Sequence, residues 1–349
     1  MKTVAISVDQ LRRPQPGGIG TYVRGLLTGM QEHHGEWHVQ EVGPPAIGTS
    51  RWGTVAEKLR GRYYAERWAT SDVGVSALAT VIHATTFTGP FGSPRPGLVR
   101  SVTLHDFVWR DQPESTTARG REFHESRFQL IRQRDDIRIF VTTPATAERV
   151  AAEGIDPSRI FEITLGLDRA REFSGDAASR LLAAHGITGP FTLCPGTIEP
   201  RKNLPRLIEA HRAARHRELG PLVFVGPQGW GGVTLEGAIS LGPVDRGVLT
   251  GLLARAAVVA YVPLAEGWGL PPLEALNVGT RVVASSTVPS VQGRSDVVTV
   301  EALSVENIAE GLQRAIALPD DEATRSNRRS SVASLTWSSM AEQHIAGWQ

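Results

Sequence analysis

One cysteine, Cys194, stands in a chain of 349 residues. That excludes an internal disulfide framework and fits a reducing compartment. An excess of either charge is also missing: 37 basic residues face 36 acidic ones, a formal net charge of +1. No general electrostatic field draws the chain to nucleic acid, so no nucleic-acid partner is expected. No apolar run approaches the ~18–20 residues that a membrane helix needs. The first residues, Met1 to Val8, lack a signal-peptide hydrophobic stretch and meet an acid at Asp9. A cytoplasmic location is therefore expected, with peripheral contact at the inner face of a membrane left open. There is no repeat of fixed period and no low-complexity tract. The dinucleotide fingerprint G-x-G-x-x-G fails, because a reading from Gly18 ends on Val23. G-x-x-x-x-G-K-[ST] is absent as well, which discounts a nicotinamide cofactor and a P-loop. His33, His34, His38, His124, His185, His211 and His344 show no metal-ligand spacing, so no metal and no cofactor is expected.

What is present is an ordinary globular composition, 41% hydrophobic and 21% charged. The length exceeds what one core usually organises, so two domains are the starting expectation. Apolar strand segments alternate with helical periodicity. Strands are expected at Thr3–Val8, Thr80–His83, Leu98–Leu104, Arg138–Val141 and Arg159–Ile163 in the first half. In the second half they are expected at Phe191–Cys194, Pro221–Val225, Ile239–Leu241, Val258–Val262 and Arg281–Ser285. Ile19, Tyr22, Val23, Leu26, Leu27 and Met30 recur at helical spacing, Pro144 opens a helix, another begins near Asn203, and a last one covers Trp337–Trp348. The pattern implies an α/β fold of two Rossmann-like, doubly wound domains facing each other across a cleft. The expected boundaries are 1–172 for the first domain, with helix 336–349 crossing back to it, 173–190 for a linker region, and 191–335 for the second.

The most informative stretch is Glu266-Gly-Trp-Gly-Leu-Pro-Pro-Leu-Glu274. It follows an apolar strand, and its Pro-Pro step suits a helix start, where no N–H is required. Glu266 therefore sits at the carboxyl end of a strand, the place where open α/β sheets bind ligands. The backbone N–H groups of Gly267, Trp268, Gly269 and Leu270, with a helix start behind them, favour an anion. Ionised Glu266 and Glu274 accept several hydrogen bonds each and suit sugar hydroxyls. An anion and hydroxyls together point to a sugar phosphate. Glu274 could also be only a helix-start carboxylate; Glu266, ahead of the helix, could not.

A second stretch, Gly196-Thr-Ile-Glu-Pro-Arg-Lys-Asn-Leu204, also leads from a strand into a helix. Thr197, Arg201 and Lys202 would lie on the same sheet edge as Glu266. A departing diphosphate needs positive charge, and Arg and Lys supply it in different geometries. The competing reading is a solvated surface pair, which the glycine-rich approach and the shared edge disfavour. Gly17-Gly18-Ile19-Gly20 follows the first strand, where glycines permit close approach of a ligand or simply make a tight turn. His105 and Asp106 end another strand, where His105 is either a ligand contact or a structural histidine bonded to a backbone carbonyl. Basic-aromatic segments run from Arg51 to Trp68 and from Arg119 to Arg138. Each fits an amphipathic helix on the core, or contact with an anionic membrane or a lipid-linked acceptor.

Taken together, these segments resemble the family-4 group of retaining, nucleotide-sugar-dependent glycosyltransferases with the GT-B fold. Gly17–Gly20 resembles that family's glycine loop, Val102–Asp106 its His-Asp strand end, and Val141–Pro144 through Leu165–Asp168 its last N-domain unit. Gly196–Asn203 resembles its phosphate loop, Glu266–Glu274 its E-x7-E signature, and Thr336-Trp337-Ser338 its returning terminal helix. Three departures stand out: Trp268 where the family often has Phe, Ala275-Leu-Asn-Val-Gly279, and Thr287-Val-Pro-Ser-Val291 without a Glu. The resemblance implies a metal-independent hexosyltransferase that uses a nucleoside diphosphate sugar, with GDP-mannose as first choice of donor. The acceptor would be a hydroxyl of a glycan or lipid-linked glycan, in glycan, polysaccharide or glycolipid biosynthesis. Arg201 and Lys202 would bind the diphosphate, Pro243 and Val244 the nucleobase, and Glu274 the ribose. Glu266, Gly269 and Leu270 would hold the sugar, His105 would lie near its anomeric carbon, and Gly18 near the donor phosphate or acceptor. Two rivals stay open: a nucleotide-sugar isomerase or hydrolase of the same fold, and a non-catalytic sugar-binding protein.

Overall fold

A computed structural model describes residues 1–13, 16–44, 60–168, 175–214 and 216–349. Arg51 and Trp52 of the first basic-aromatic segment therefore lie outside the described residues. The chain divides into two compact units, Met1–Gly166 with Leu335–Gln349, and Leu167–Ser334.

The first unit is built on six strands: β1 (Lys2–Ser7), β2 (Trp37–Val42), β3 (Val81–Ala84), β4 (Val99–Leu104), β5 (Ile137–Val141) and β6 (Ile160–Glu162). They lie in the order β2-β1-β3-β4-β5-β6, all neighbours parallel. Its helices include α1 (Gly17–Gln31), α2 (Ala118–Arg132) and α3 (Pro144–Ala152). Strand β2 was not among the expected strands. Its edge position explains this, because only Trp37 and Val42 at its ends are buried and the middle is His-Val-Gln-Glu. Helix α2 turns Phe128 and Ile131 into the core, and Arg127 donates to the Ala65 carbonyl. That is the core-packing reading of the second basic-aromatic segment. The chain returns to this unit as α10 (Trp337–Trp348), which packs on α1. The fit is close: a Cβ on Gly29 would stand 2.1 Å from the Trp337 carbonyl oxygen.

A buried polar chain fixes that contact. Tyr22 on α1, His83 on β3 and His344 on α10 are all fully buried. His344 Nδ1 donates to the Met340 carbonyl at 2.9 Å, so its neutral ring accepts at Nε2 from the Tyr22 hydroxyl at 3.0 Å. The phenol has no second proton, so His83 Nε2 donates to its oxygen at 2.9 Å. His83 Nδ1 then accepts from Ser101 Oγ at 2.9 Å, and Ser101 Oγ accepts from the Trp348 indole, also at 2.9 Å. Burial holds His83 well below the usual histidine range and lowers His344 to about 4, which keeps both rings neutral.

The second unit carries β7 (Thr192–Pro195), β8 (Leu222–Val225), β9 (Ile239–Ser240), β10 (Val258–Tyr261), β11 (Val282–Ser285) and β12 (Val298–Val300). Their order is β12-β11-β10-β7-β8-β9, again parallel throughout. Strand β12 is only three residues long, too short for a periodicity to register. The helices are α4 (Gly175–Ala184), α5 (Leu204–Ala214), α6 (Arg246–Arg255), α7 (Leu270–Asn277), α8 (Val305–Ala317) and α9 (Glu322–Ser330). Helix α4 falls inside the expected linker region, 173–190; it buries Ala178 and Leu182 and packs on α6. Cys194 is a core residue of β7, and burial pushes its thiol up to about 12 against the opposing pull of Lys202.

Candidate functional site

Strands β7 and β10 are neighbours, so the two segments singled out in the sequence leave the sheet side by side at its carboxyl edge. After β7 the chain makes a 3-10 turn over Pro200–Lys202. Asn203 then takes a left-handed conformation (φ 60°, ψ 30°), which asparagine tolerates better than most residues. Its side-chain amide donates to the carbonyls of Val262 at 3.1 Å and Ala302 at 2.7 Å. That anchors the turn bearing Arg201 and Lys202 to the exit of β10. The Leu264 amide, which donates to the Arg201 carbonyl at 2.9 Å, ties the two loops a second time.

On this frame three side chains converge on one oxygen. Glu266 Oε2 accepts from Arg201 Nη1 at 3.0 Å, Lys202 Nζ at 2.6 Å and the Tyr261 hydroxyl at 2.5 Å. Arg201 also donates to the Ala265 carbonyl at 2.9 Å and to Glu199 Oε1 at 2.7 Å. The side chains of Arg201, Lys202 and Glu266 are 19%, 11% and 16% exposed, so these are pairs screened little by water. Burial alone would raise the Glu266 carboxyl; Lys202 and Arg201 outweigh it and hold the group down to about 2. Burial, reinforced by Glu266, holds the Tyr261 phenol well above its usual range.

The cluster adjoins the start of α7. Gly269 precedes the helix at φ 97°, ψ 67°, and a Cβ there would fall 2.3 Å from Val288 Cγ1 and 3.6 Å from Glu266 Cγ. Only glycine fits. No described residue accepts from the backbone amides of Gly267, Trp268 or Gly269. The Trp268 indole N–H is buried and without a partner among the described residues. The arrangement therefore offers two cations, free amides and a helix start at one place, which suits a polyanion.

Glu274, on α7, is buried and paired with Arg246 at 2.8 Å, and Arg246 also meets Asp168 at 2.7 Å. Pro243 and Val244 line a cavity of about 460 Å³ together with Ala177 and Leu181 of α4, Asp245 and Val248. Thr197 lies against the loop after β8: a Cβ on Gly229 would stand 2.7 Å from Thr197 Cγ2.

His105 and Gly18 belong to the first unit. His105 follows β4; its Nε2–H donates to the Thr85 carbonyl at 2.9 Å, and its ring meets Tyr22 edge-on with centroids 5.0 Å apart. Burial lowers its pKa more than Thr85 and Asp106 raise it, so the ring stays neutral. Gly18 lies in the first turn of α1, exposed, with open space where a Cβ would be.

Three participants escaped the sequence reading. Tyr261 was absorbed into an apolar strand, Glu199 stands two residues before Arg201, and Arg246 meets Glu274 from a different helix. Only Glu199 carried a local signal, an acid beside a basic pair. No helix among the described residues is long and apolar enough to cross a membrane.

Residues 189–317 match the family described as Glycosyl transferases group 1, which places such a domain in the second unit. The chain is 36% identical over 141 residues to O-antigen chain mannosyltransferase B of Escherichia coli, a match covering 35% of this chain and 37% of that protein. It is 25% identical over 256 residues to the serotype-specific mannosyltransferase WbdA of Escherichia coli, covering 65% of this chain and 30% of that protein. The chain thus spans about a third of the length of these curated relatives. Among solved structures, sucrose-phosphate synthase from Thermosynechococcus elongatus superposes with a TM-score of 0.71 at 18% identity, covering 99% of this chain and 98% of that one. WaaG, a glycosyltransferase involved in lipopolysaccharide biosynthesis, gives 0.69 at 15% identity with 99% of each chain covered. At such identities the likeness is one of fold, and the fold is GT-B.

Proposed function

We propose that the protein is a retaining glycosyltransferase of the family-4 type that moves a hexose from a nucleoside diphosphate sugar to a hydroxyl acceptor. One observation carries the reading: within a glycosyl transferase group 1 domain, Arg201 and Lys202 meet beside the amide-rich start of α7. The bond between the anomeric carbon and the diphosphate oxygen breaks, and the electron pair leaves with the nucleoside diphosphate. A bond from the acceptor oxygen forms at the same carbon, and the acceptor proton is released. In this reading Arg201, Lys202 and the amides at Gly267–Gly269 stabilise the negative charge that develops on the leaving group. No divalent ion enters this reading, and activity is expected to survive a chelator.

GDP-mannose is the proposed donor, a choice supported by the mannosyltransferases among the relatives. The acceptor is proposed to be a glycan or lipid-linked glycan of polysaccharide biosynthesis, met at a membrane surface. In this reading Glu274 holds the ribose, Pro243 and Val244 the base, and Glu266, Gly269 and Leu270 the sugar. His105 contacts the transferred sugar, and Gly18 the donor phosphate or acceptor. A thermal-shift panel of GDP, UDP, dTDP and their sugars tests the donor, since a ligand at 100 times its Kd adds ~2.7 kcal/mol. Acceptor-dependent release of nucleoside diphosphate then tests the reaction; release that ignores acceptor tells for a hydrolase or isomerase instead.

A further inference from the structure

We propose that Tyr261 is a positioning residue that aims the ammonium of Lys202 at the diphosphate; this rests on the nucleotide-sugar reading above. Tyr261 is the last residue of β10 and is 2% exposed. Its strand neighbours Val258, Val259 and Ala260 are fully buried. A phenol hydroxyl at such a place needs polar partners. It has two, Lys202 Nζ and Glu266 Oε2, each at 2.5 Å. An ammonium cannot accept, so Lys202 donates to the phenol oxygen and the phenol donates to Glu266.

The consequence lies in the count of donors. An ammonium has three N–H groups. One goes to Tyr261 and one to Glu266 at 2.6 Å. With two N–H groups turned to that side, the third points away from Tyr261 and Glu266, and it has no partner among the described residues. The Tyr261 ring supports the same nitrogen, with Nζ 4.7 Å from its centroid. A lysine on a flexible four-carbon stem is thus held at its tip by hydroxyl, carboxylate and ring, leaving one aimed donor. Glu266 does not depend on Tyr261 for its place, because Arg201 also holds it. The effect of the hydroxyl should therefore travel through Lys202.

Tyr261→Phe keeps the ring and removes the hydroxyl. Isothermal titration of the full chain with GDP, with UDP and with dTDP is expected to show affinity for one of them about ten-fold weaker in Y261F, the effect of one hydrogen bond to a charged group. Lys202→Met is expected to be weaker still, and the Y261F/K202M double variant no weaker than K202M alone. In the transfer assay, kcat/KM for the donor falls while KM for the acceptor holds. Wild-type affinity in Y261F overturns the proposal. So do Y261F and K202M effects that multiply, the signature of a hydroxyl that acts independently of Lys202. A second measurement needs no folded Y261F. With 3-fluorotyrosine at the four tyrosines, a buried-tyrosine fluorine line is expected to move on nucleotide saturation in the wild-type chain but not in K202M. Lines that all stay still in the saturated wild-type chain overturn the proposal. Wild-type protein that binds none of GDP, UDP and dTDP overturns the nucleotide-sugar reading itself and takes this proposal with it. Binding that Y261F leaves intact overturns the role of Tyr261 alone.

Discussion

Glu266→Gln removes the one charge around which the cation cluster is organised, and its cost can be worked from the structure. Burial disfavours the ionised carboxylate, yet Lys202 and Arg201 carry its pKa from the usual 4.5 down to about 2. That difference corresponds to about 3 kcal/mol in favour of the folded protein when the group is ionised. The folded value lies below the unfolded one, so the contribution is complete above pH 4.5 and is lost as the pH falls through about 2. Glutamine cannot ionise and forfeits it at every pH. For a unit of this size a loss of ~3 kcal/mol lowers Tm by roughly 6–12 °C. Melting curves of wild type and E266Q at pH 7, 5, 4 and 3 therefore make the test. The gap should be widest at pH 7 and 5 and should narrow below. A gap that is absent at pH 7, or that stays constant down to pH 3, refutes the reasoning.

Arg201→Ala is expected to leave a folded protein with turnover reduced by ~10²–10³, measured as acceptor-dependent release of nucleoside diphosphate. Gly29→Ala would push a methyl against the Trp337 carbonyl, so a loss of ~1–3 kcal/mol is expected, with faster proteolytic release of the terminal helix. Acid should weaken the first unit earlier than the second. His344 is lowered from 6.5 to about 4, so its share of stability is intact above pH 6.5 and is lost as the pH falls toward 4. The fluorescence of Trp348, whose indole is part of the same chain of hydrogen bonds, should report this, and His344→Leu should flatten the dependence.

The strands were legible because a parallel sheet covered on both faces demands continuous apolar runs, and these stand out in Val258–Tyr261 and Val282–Ser285. Edge strands escape that demand: Trp37–Val42, polar through its middle, and the three-residue Val298–Val300 carry no such run. The convergence of Arg201, Lys202 and Glu266 was inferable from topology, since adjacent parallel strands deliver their loops to one edge. That the three are already joined in an ion cluster was not inferable. Glu266 is expected to accept hydrogen bonds from sugar hydroxyls, and nothing in its spacing says that its carboxylate is engaged by both cations. Tyr261 was hidden for the opposite reason: a tyrosine in an apolar run reads as bulk, and its hydroxyl becomes visible only when its partners are placed. Contacts such as Arg246 with Glu274 depend on the crossing of two helices, which no local pattern encodes.

The hydrogen bonds from Tyr22 to His83 and to His344 join helix α1 to helix α10, which lie far apart in the sequence. A ribosome emitting this chain must finish the whole of Leu167–Ser334 before the piece that seals the opening unit emerges. The order of completion is thus the reverse of the order of synthesis: the middle can mature first, while the beginning waits with two polar rings, Tyr22 and His83, and the seat for Trp337 uncovered. A chaperone that shields that face, or a ribosomal pause after Ser334, would act on the step where the nascent protein is most exposed.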